Sequence, residues 1–234
     1  MAILKTPKGI IKFKQHNMYL GSKRINKEIA GKNLILVSEI MDKNNVYFGL
    51  YAGSILGAVR EHDFIDWDED IDLYFLEEEL PKFLSALYDL VDNGFELLRY
   101  ERRGLYSVKR NGEYIDFYMQ KKIADGVWSV GETPTLEEDV MDTIFVPLRG
   151  GQYRVPRNYD RCLTLWYGDW RTPVQYANFE LSKMQMFRLK IQQVIKRMLP
   201  NWLYQKMLYR HHRKKREAFF EKCYKAGYLV REKV

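Results

Sequence analysis

Seven consecutive residues, Asp66-Trp67-Asp68-Glu69-Asp70-Ile71-Asp72, carry five carboxylates. Side chains two apart on a β-strand share a face. A strand starting at Asp70 therefore sets Asp70 and Asp72 side by side and turns Ile71 to the core. Carboxylates that close repel, the more so on a dry face. A divalent cation relieves the repulsion, and oxygen-only ligation suits Mg2+ or Mn2+. Charge runs are commonly solvated loops, but several features separate this one from a loop. Phe64, Ile65 and Trp67 precede it or interrupt it, and Leu73, Tyr74 and Phe75 follow. Asp116 stands alone among Tyr114, Ile115, Phe117 and Tyr118 on a second β-prone segment, where an unpaired carboxylate would be costly. The expected metal ligands are Asp70, Asp72 and Asp116, with Asp68 as a further contact to substrate.

Gly53-Ser54 lies upstream, close enough for the chain to return beside the acids. A glycine turn opening a helix leaves backbone N–H groups that suit an anion. Phosphoryl transfer needs both a metal and donors around the phosphate oxygens. Gly53 and Ser54 are thus expected at a donor phosphate, with Arg60 as a clamp.

The elements that must position these groups follow from periodicity. Ile25, Ile29, Leu34, Val37, Ile40 and Met41 recur at helical spacing over 24–43. A short strand is expected over 46–51, a helix capped by Ser54 through Arg60, a strand over 70–76 and an amphipathic helix over 77–91. Strands are expected over 95–101, 105–110, 114–120 and 127–130, then a hairpin of 143–147 with 152–155. Helices are expected over 159–167 and from 178 to about 224, broken at Pro200. Residues 1–21 read as irregular.

Composition bounds the rest. The chain of 234 residues is 46% hydrophobic and 15% aromatic, enough for a packed core. Cys162 and Cys223 have no metal-ligand spacing and suit a reducing compartment. No apolar run approaches a membrane span, and the basic N-terminus lacks a signal-peptide core. These points lead us to expect a cytoplasmic protein. The net charge of +7 is uneven: residues 182–216 hold 11 Lys and Arg with no Asp or Glu, and residues 217–234 carry +1, which leaves −5 for residues 1–181. The body is therefore not basic, and no nucleic-acid partner is expected. Over 184–208 apolar residues recur at helical spacing among the cations. Such a segment either docks on the body or lies on an anionic membrane surface. His211 and His212, inside the basic run, are expected on a solvated face.

Three blocks resemble the LicD family, which includes the fukutin-related proteins. Tyr51 to Asp72 is similar to its Gly-Ser/Thr-Leu-Leu-Gly-Ala-Val-Arg helix followed by Trp-Asp-x-Asp-x-Asp. Ile115-Asp116-Phe117 matches its acid in an apolar strand. Arg154-Val155-Pro156, then Leu163 and Tyr167-Gly168-Asp169-Trp170, resembles its closing Tyr-Gly-Asp block. The likeness runs over roughly residues 30 to 175; Asp66 stands where the family usually has proline. The resemblance implies an α+β, nucleotidyltransferase-like fold, a mixed β-sheet flanked by helices, here with a basic helical C-terminal extension. The division is an irregular leader 1–23, a catalytic domain 24–177 and a basic amphipathic helical region 178–234. The resemblance implies that a phosphocholine or alditol-phosphate group leaves a cytidine nucleotide (CDP-choline, CDP-ribitol or CDP-glycerol) for a hydroxyl of a cell-surface glycan such as lipopolysaccharide, teichoic acid or a capsule precursor, free or carried on a lipid. Asp70 and Asp72 would ligate the metal, Asp116 would be a further ligand or the base, and Asp169 or Trp170 would touch donor or acceptor. Two other readings stay open: a nucleotidyltransferase that transfers the nucleotide itself, and a non-catalytic glycan or membrane-surface module. On the first reading the protein works in the cytoplasm or peripherally on the cytoplasmic membrane face.

Overall fold

The structure, a computed structural model, describes residues 1–16, 24–130, 133–174 and 183–230. The chain opens with β1 (Ala2–Thr6) and β2 (Gly9–Phe13), an antiparallel hairpin. This corrects the expectation of an irregular leader. Leu4, Ile11 and Phe13 point inward while Ile3 and Ile10 face solvent, so the alternation is real but diluted by lysines. Residues 17–23 lie outside the described residues.

Helix α1 (Lys27–Lys43) begins where the Asn26 side chain accepts the Ile29 N–H and buries Ala30, Leu34, Val37 and Met41 on one stripe. It leads to β3 (Phe48–Leu50), then α2 (Ala52–Leu56), which widens into a π-helical turn over Gly57–Glu61. The expected helix through Arg60 is thus two short pieces, ended by His62 at φ 55°. Strand β4 (Asp70–Leu76) follows, and after one 3-10 turn α3 (Leu80–Asp92) packs Phe83, Ala86, Leu87 and Leu90 into the core. Next come β5 (Glu96–Glu101), β6 (Leu105–Arg110), the long β7 (Glu113–Ala124), β8 (Val127–Val130) and β9 (Thr133–Leu136). Helix α4 (Glu137–Met141), the hairpin β10 (Thr143–Leu148) with β11 (Gly151–Pro156), and α5 (Tyr159–Tyr167) complete the body. Strand β9 and helix α4 were not expected from the sequence.

These strands form a mixed sheet in the order β3-β4-β7-β6-β5, with β8 and β9 continuing from β7. Only β4 and β7 run parallel. A parallel pair needs a crossover, and α3 with β5 and β6 supplies it. On one face of the sheet Ile71, Leu73, Phe75, Ile115 and Phe117 join the core beneath α1 and α3, with Phe75 and Phe83 stacked at 3.8 Å. The opposite face carries Tyr74 and Leu76 in a second apolar cluster with Tyr51 and Trp128. That second face holds the acids.

The C-terminal region is helical: α6 (Lys183–Met198), α7 (Asn201–His211) and α8 (Arg213–Lys225). Pro200 breaks the helix as expected, and a second break falls at His212. The domain boundary read at 177/178 and the start of a helix at 178 fall in residues 175–182, outside the described residues. Phe219 and Cys223 of α8 pack with Val127 and Leu136. His212 is buried between α7 and α8, unlike the exposed His211, so the pair does not share one solvated face.

Candidate active site

The site is built on the parallel pair. Alternation puts Asp70 and Asp72 on one face of β4, and the register sets Asp72 directly opposite Asp116 on β7. Carboxylate oxygens of Asp70, Asp72 and Asp116 lie within 4.8 Å of one another. The three expected ligands therefore come together. Asp116 is 2% exposed, and its Oδ1 has no hydrogen-bond partner.

Two hydrogen bonds lock β4 to Tyr51 and α2. Tyr51 N–H donates to the Asp72 carbonyl at 2.9 Å, and Asp72 N–H donates to Ser54 Oγ at 2.8 Å. Ser54, expected to cap a helix, spends its hydroxyl on the strand instead. Gly53 is required by proximity: a Cβ there would stand 2.8 Å from Asp68 Oδ2 and 3.8 Å from Asp72 Oδ2. Ala52, just before it, holds φ at 43°, a left-handed backbone that costs a non-glycine residue free energy. Asp68 thus joins the acidic group at the Gly53 cradle.

The electrostatics follow from crowding. Burial, followed by the charges of Asp116, Asp68 and Glu69, pushes Asp70 well above the usual carboxylate range. Burial and the charges of Asp70, Asp68 and Asp116 do the same to Asp72, against a hydrogen bond with the Tyr118 hydroxyl. Asp68 is pushed up to about 6, chiefly by burial. Burial also raises Asp116, opposed by Arg99 and Ser107. Arg99 Nη2 donates to Asp116 Oδ2 at 2.6 Å and its Nε to Ser107 Oγ at 2.9 Å. A bulge between Leu97 and Arg99 in β5 accompanies this aim. Sequence reasoning missed Arg99, Ser107 and Tyr118. Tyr118 was within reach, two residues past Asp116 on the same face; nothing local marks Arg99.

Three converging carboxylates with Asp68 beside them, a guanidinium on Asp116 and an orphaned buried oxygen fit a hard divalent cation. The glycine cradle leaves room beside Asp68 and Asp72 for a ligand to approach.

The remaining expected residues have structural contacts. Arg60 donates to Glu61 and, through Nη1, to the Trp170 carbonyl at 2.9 Å. Trp170 is buried, its Nε1 donating to Asp160 Oδ1 at 3.0 Å. Asp169 closes its own turn by accepting from Arg171 N–H and Thr172 Oγ. The Tyr-Gly-Asp-Trp block thus folds a corner in which Gly168 takes φ 73° and Arg60 secures the backbone.

Two clefts flank the sheet where it meets α7 and α8. One of about 420 Å³ is lined by Tyr51, Ala52, Trp166, Tyr167, Lys215 and Lys222, so it abuts the residue before Gly53. The other, about 370 Å³, is lined by Arg103, Lys121, Lys206 and Arg216 among others. Both combine apolar or aromatic walls with cations.

Comparison with known proteins gives the following. Residues 45–158 match the family described as LicD/FKTN/FKRP, nucleotidyltransferase domain. The lipopolysaccharide cholinephosphotransferase LicD of Haemophilus influenzae is 31% identical over 49 residues, 21% of this chain and 18% of that protein. Uncharacterized protein RT0683 of Rickettsia typhi is 31% identical over 71 residues, 27% of this chain and 23% of that protein. The matches thus span less than a quarter of either relative. Among solved structures, the antibiotic-resistance factor ANT(2'')-Ia aligns at 14% identity and TM-score 0.47 over 84% of this chain and 97% of its own. The lincosamide antibiotic adenylyltransferase LnuA, lincomycin-bound, aligns at 14% identity and TM-score 0.40 over 68% and 93%.

Proposed function

Residues 45–158 form a LicD-family domain, and from that premise we propose that the protein is a metal-dependent transferase acting on a cell-surface glycan. It moves a phosphocholine or alditol-phosphate group from a cytidine-nucleotide donor to a glycan hydroxyl. The observation that carries this reading is the convergence of Asp70, Asp72 and Asp116 within 4.8 Å.

Asp70, Asp72 and Asp116 would hold Mg2+ or Mn2+, which would supply positive charge against the donor's phosphates and the departing CMP. Ser54 and Tyr51 fix the Asp72 backbone, and Arg99 holds Asp116. Gly53 lets the phosphates approach, because any side chain there would meet Asp68. The cleft beside Ala52 offers Tyr51 and Trp166 for the nucleoside and Lys215 and Lys222 for the negative charge of the donor's phosphates. The acceptor oxygen forms its bond to the phosphorus of the transferred group while the bond from that phosphorus to CMP breaks. Asp68, beside the converging acids at the Gly53 cradle, takes the acceptor's proton as the general base.

The test is incubation with CDP-choline, CDP-ribitol and CDP-glycerol, Mg2+ and candidate glycans. CMP release that depends on the acceptor, and is lost in Asp70→Asn and Asp72→Asn, is the expected result. Pyrophosphate released from a nucleoside triphosphate instead would assign transfer of the nucleotide itself. No turnover with any donor would leave a binding module.

A further inference from the structure

Helix α6 keeps large apolar side chains in solvent. Met184 is 64% exposed, Phe187 60%, Ile191 44%, Ile195 52% and Met198 81%. At 3.6 residues per turn these five fall within about 80° of arc, a single stripe. Trp202, 68% exposed, and Met207 continue the exposed apolar surface into α7. Isolated exposed apolar residues are ordinary, whereas a contiguous row marks a surface that something covers.

The C-terminal end of α6 and the first turns of α7 are already engaged. Arg102 donates to the Leu199 carbonyl at 2.7 Å and to the Lys196 carbonyl, at the C-terminal end of α6 where a cation is favoured. Its guanidinium lies over the Tyr204 ring at 4.5 Å, and Gln205 donates to its carbonyl at 3.3 Å. The body therefore holds the end of α6 and the buried Tyr204 of α7, and the stripe stays bare.

Charge selects the covering surface. Arg188, Lys196, Lys206, Arg210 and Lys214 are exposed along or after the stripe, and residues 182–216 contain 11 Lys and Arg without one acidic residue. A second copy placed face to face would bring two such sets of cations together. An anionic surface complements them. Among the described residues no helix is long and apolar enough to cross a membrane, which leaves the in-plane arrangement. Apolar chains that enter the acyl boundary, a tryptophan at the end of the stripe and flanking cations are what such a helix needs.

We infer that α6 and α7 form a membrane-surface docking site for anionic lipid. The stripe sinks into the headgroup boundary and the cations meet the lipid phosphates. The inference is independent of the reaction assigned above.

The test is flotation of the full chain with vesicles of phosphatidylcholine alone and with about one-third phosphatidylglycerol. Binding is expected to the anionic vesicles, roughly tenfold weaker to the neutral ones, and weakened by high salt. The triple variant Phe187→Ser/Ile191→Ser/Ile195→Ser should lose about tenfold or more of that binding, with an unchanged melting temperature because the three side chains are exposed. Arg188→Glu/Lys196→Glu should weaken binding to anionic vesicles and leave the weak neutral binding alone. Equal flotation with both vesicle types, no flotation, or full flotation of the triple variant would each overturn the inference. So would a dimer, seen by light scattering, that the triple variant dissolves while flotation is absent. Flotation is read without turnover, so its failure is distinct from failure of the enzymatic reading.

Discussion

Two regions treat their aspartates in opposite ways. At Asp63 two cations serve one acid: Arg149 donates through Nε and Nη2 at 2.5 and 2.6 Å, and Lys27 through Nζ at 3.2 Å. Burial pushes the Asp63 carboxyl up, but these bonds and the Phe64 N–H outweigh it and hold it at about 2. At the head of β4 the ratio is reversed. Of Asp68, Asp70, Asp72 and Asp116, Asp116 pairs closely with a cation, Arg99, and all four are pushed above their usual range. The first region is complete as the chain folds; it ties the start of α1 and the β10–β11 turn to the loop after the π-helical turn. On the proposed function a divalent cation would complete the second, and the contrast then separates an acid kept for architecture from acids kept for chemistry.

The largest expected effect breaks the comparison at the site. Asp72→Asn removes one of the converging carboxylates and keeps the shape. Turnover should fall by about 10³ or more, as for loss of a group that stabilises the transition state, roughly 4 kcal/mol at 1.36 kcal/mol per decade. The metal-free variant should melt no lower than the wild type, since a repulsive charge has gone. A large drop in melting temperature with activity per folded molecule retained would show that Asp72 is structural.

The next effect concerns the missing charge. Between about pH 4, where an unfolded Asp titrates, and the raised values of the folded acids, the native state binds more protons than the unfolded one. Its stability therefore falls as pH rises through that window, which reaches about 6 for Asp68; Asp70 and Asp72, also raised, act in the same direction. Mg2+ or Mn2+ should cancel this loss. At a hundred times its Kd the ion should add about 2.7 kcal/mol, a gain in melting temperature of roughly 5–10 °C for a chain of this size, larger at pH 8 than at pH 5. A gain independent of pH would mean that the ion binds elsewhere. Arg99→Met sharpens the same point: it frees Asp116 from its guanidinium, and turnover should fall about 10- to 100-fold, the usual cost of losing a group that orients a ligand. Unchanged kinetics would remove Arg99 from the positioning of Asp116.

How much of this was legible depends on whether the signal was local. Strand β4 could be read because acids and apolar residues alternate within seven positions, and α5 because Leu163 and Cys162 recur against polar neighbours. Asp116 could be read as an isolated acid in an apolar strand. Arg99 could not, since its partner is fixed by the strand order β7-β6-β5 and by a bulge, neither of which is encoded within reach of the residue. Ser54 was identified as important with the wrong partner: local rules offer a serine to a helix N-terminus, while the fold brings the Asp72 N–H to it. Arg60 was expected as a phosphate clamp and Trp170, from the family resemblance, as a donor or acceptor contact; the bond that joins them spans 110 positions of chain, beyond the reach of a local pattern. The hairpin over 2–13 was missed because lysines at its outward positions hide a short alternation. Exposed Phe187, Ile191 and Ile195 show the limit from the other side: the helical spacing was legible, and which way the stripe faces was not.

The smallest effect tests the completed region. Asp63→Asn keeps the size of the side chain and removes the charge that Arg149 and Lys27 bind. The pair is partly solvated, with side chains about one-quarter exposed, so the loss should be about 1–2 kcal/mol, between an exposed and a buried pair. Activity per folded molecule should not change. The pH dependence carries the sharper comparison. Because the folded carboxyl of Asp63 lies at about 2, below its unfolded value, its contribution is fully present above about pH 4 and is lost as pH falls toward 2. Urea unfolding of wild type and Asp63→Asn should therefore differ by a constant amount from pH 8 to pH 5 and converge below pH 4. The metal-free wild type should meanwhile lose stability as pH rises from 4, through its β4 acids. One molecule should thus show two trends of opposite sign from the same residue type. A gap between wild type and Asp63→Asn that widens on acidification would mean that its cations do not hold Asp63 ionised, and the contrast between the two regions would fail.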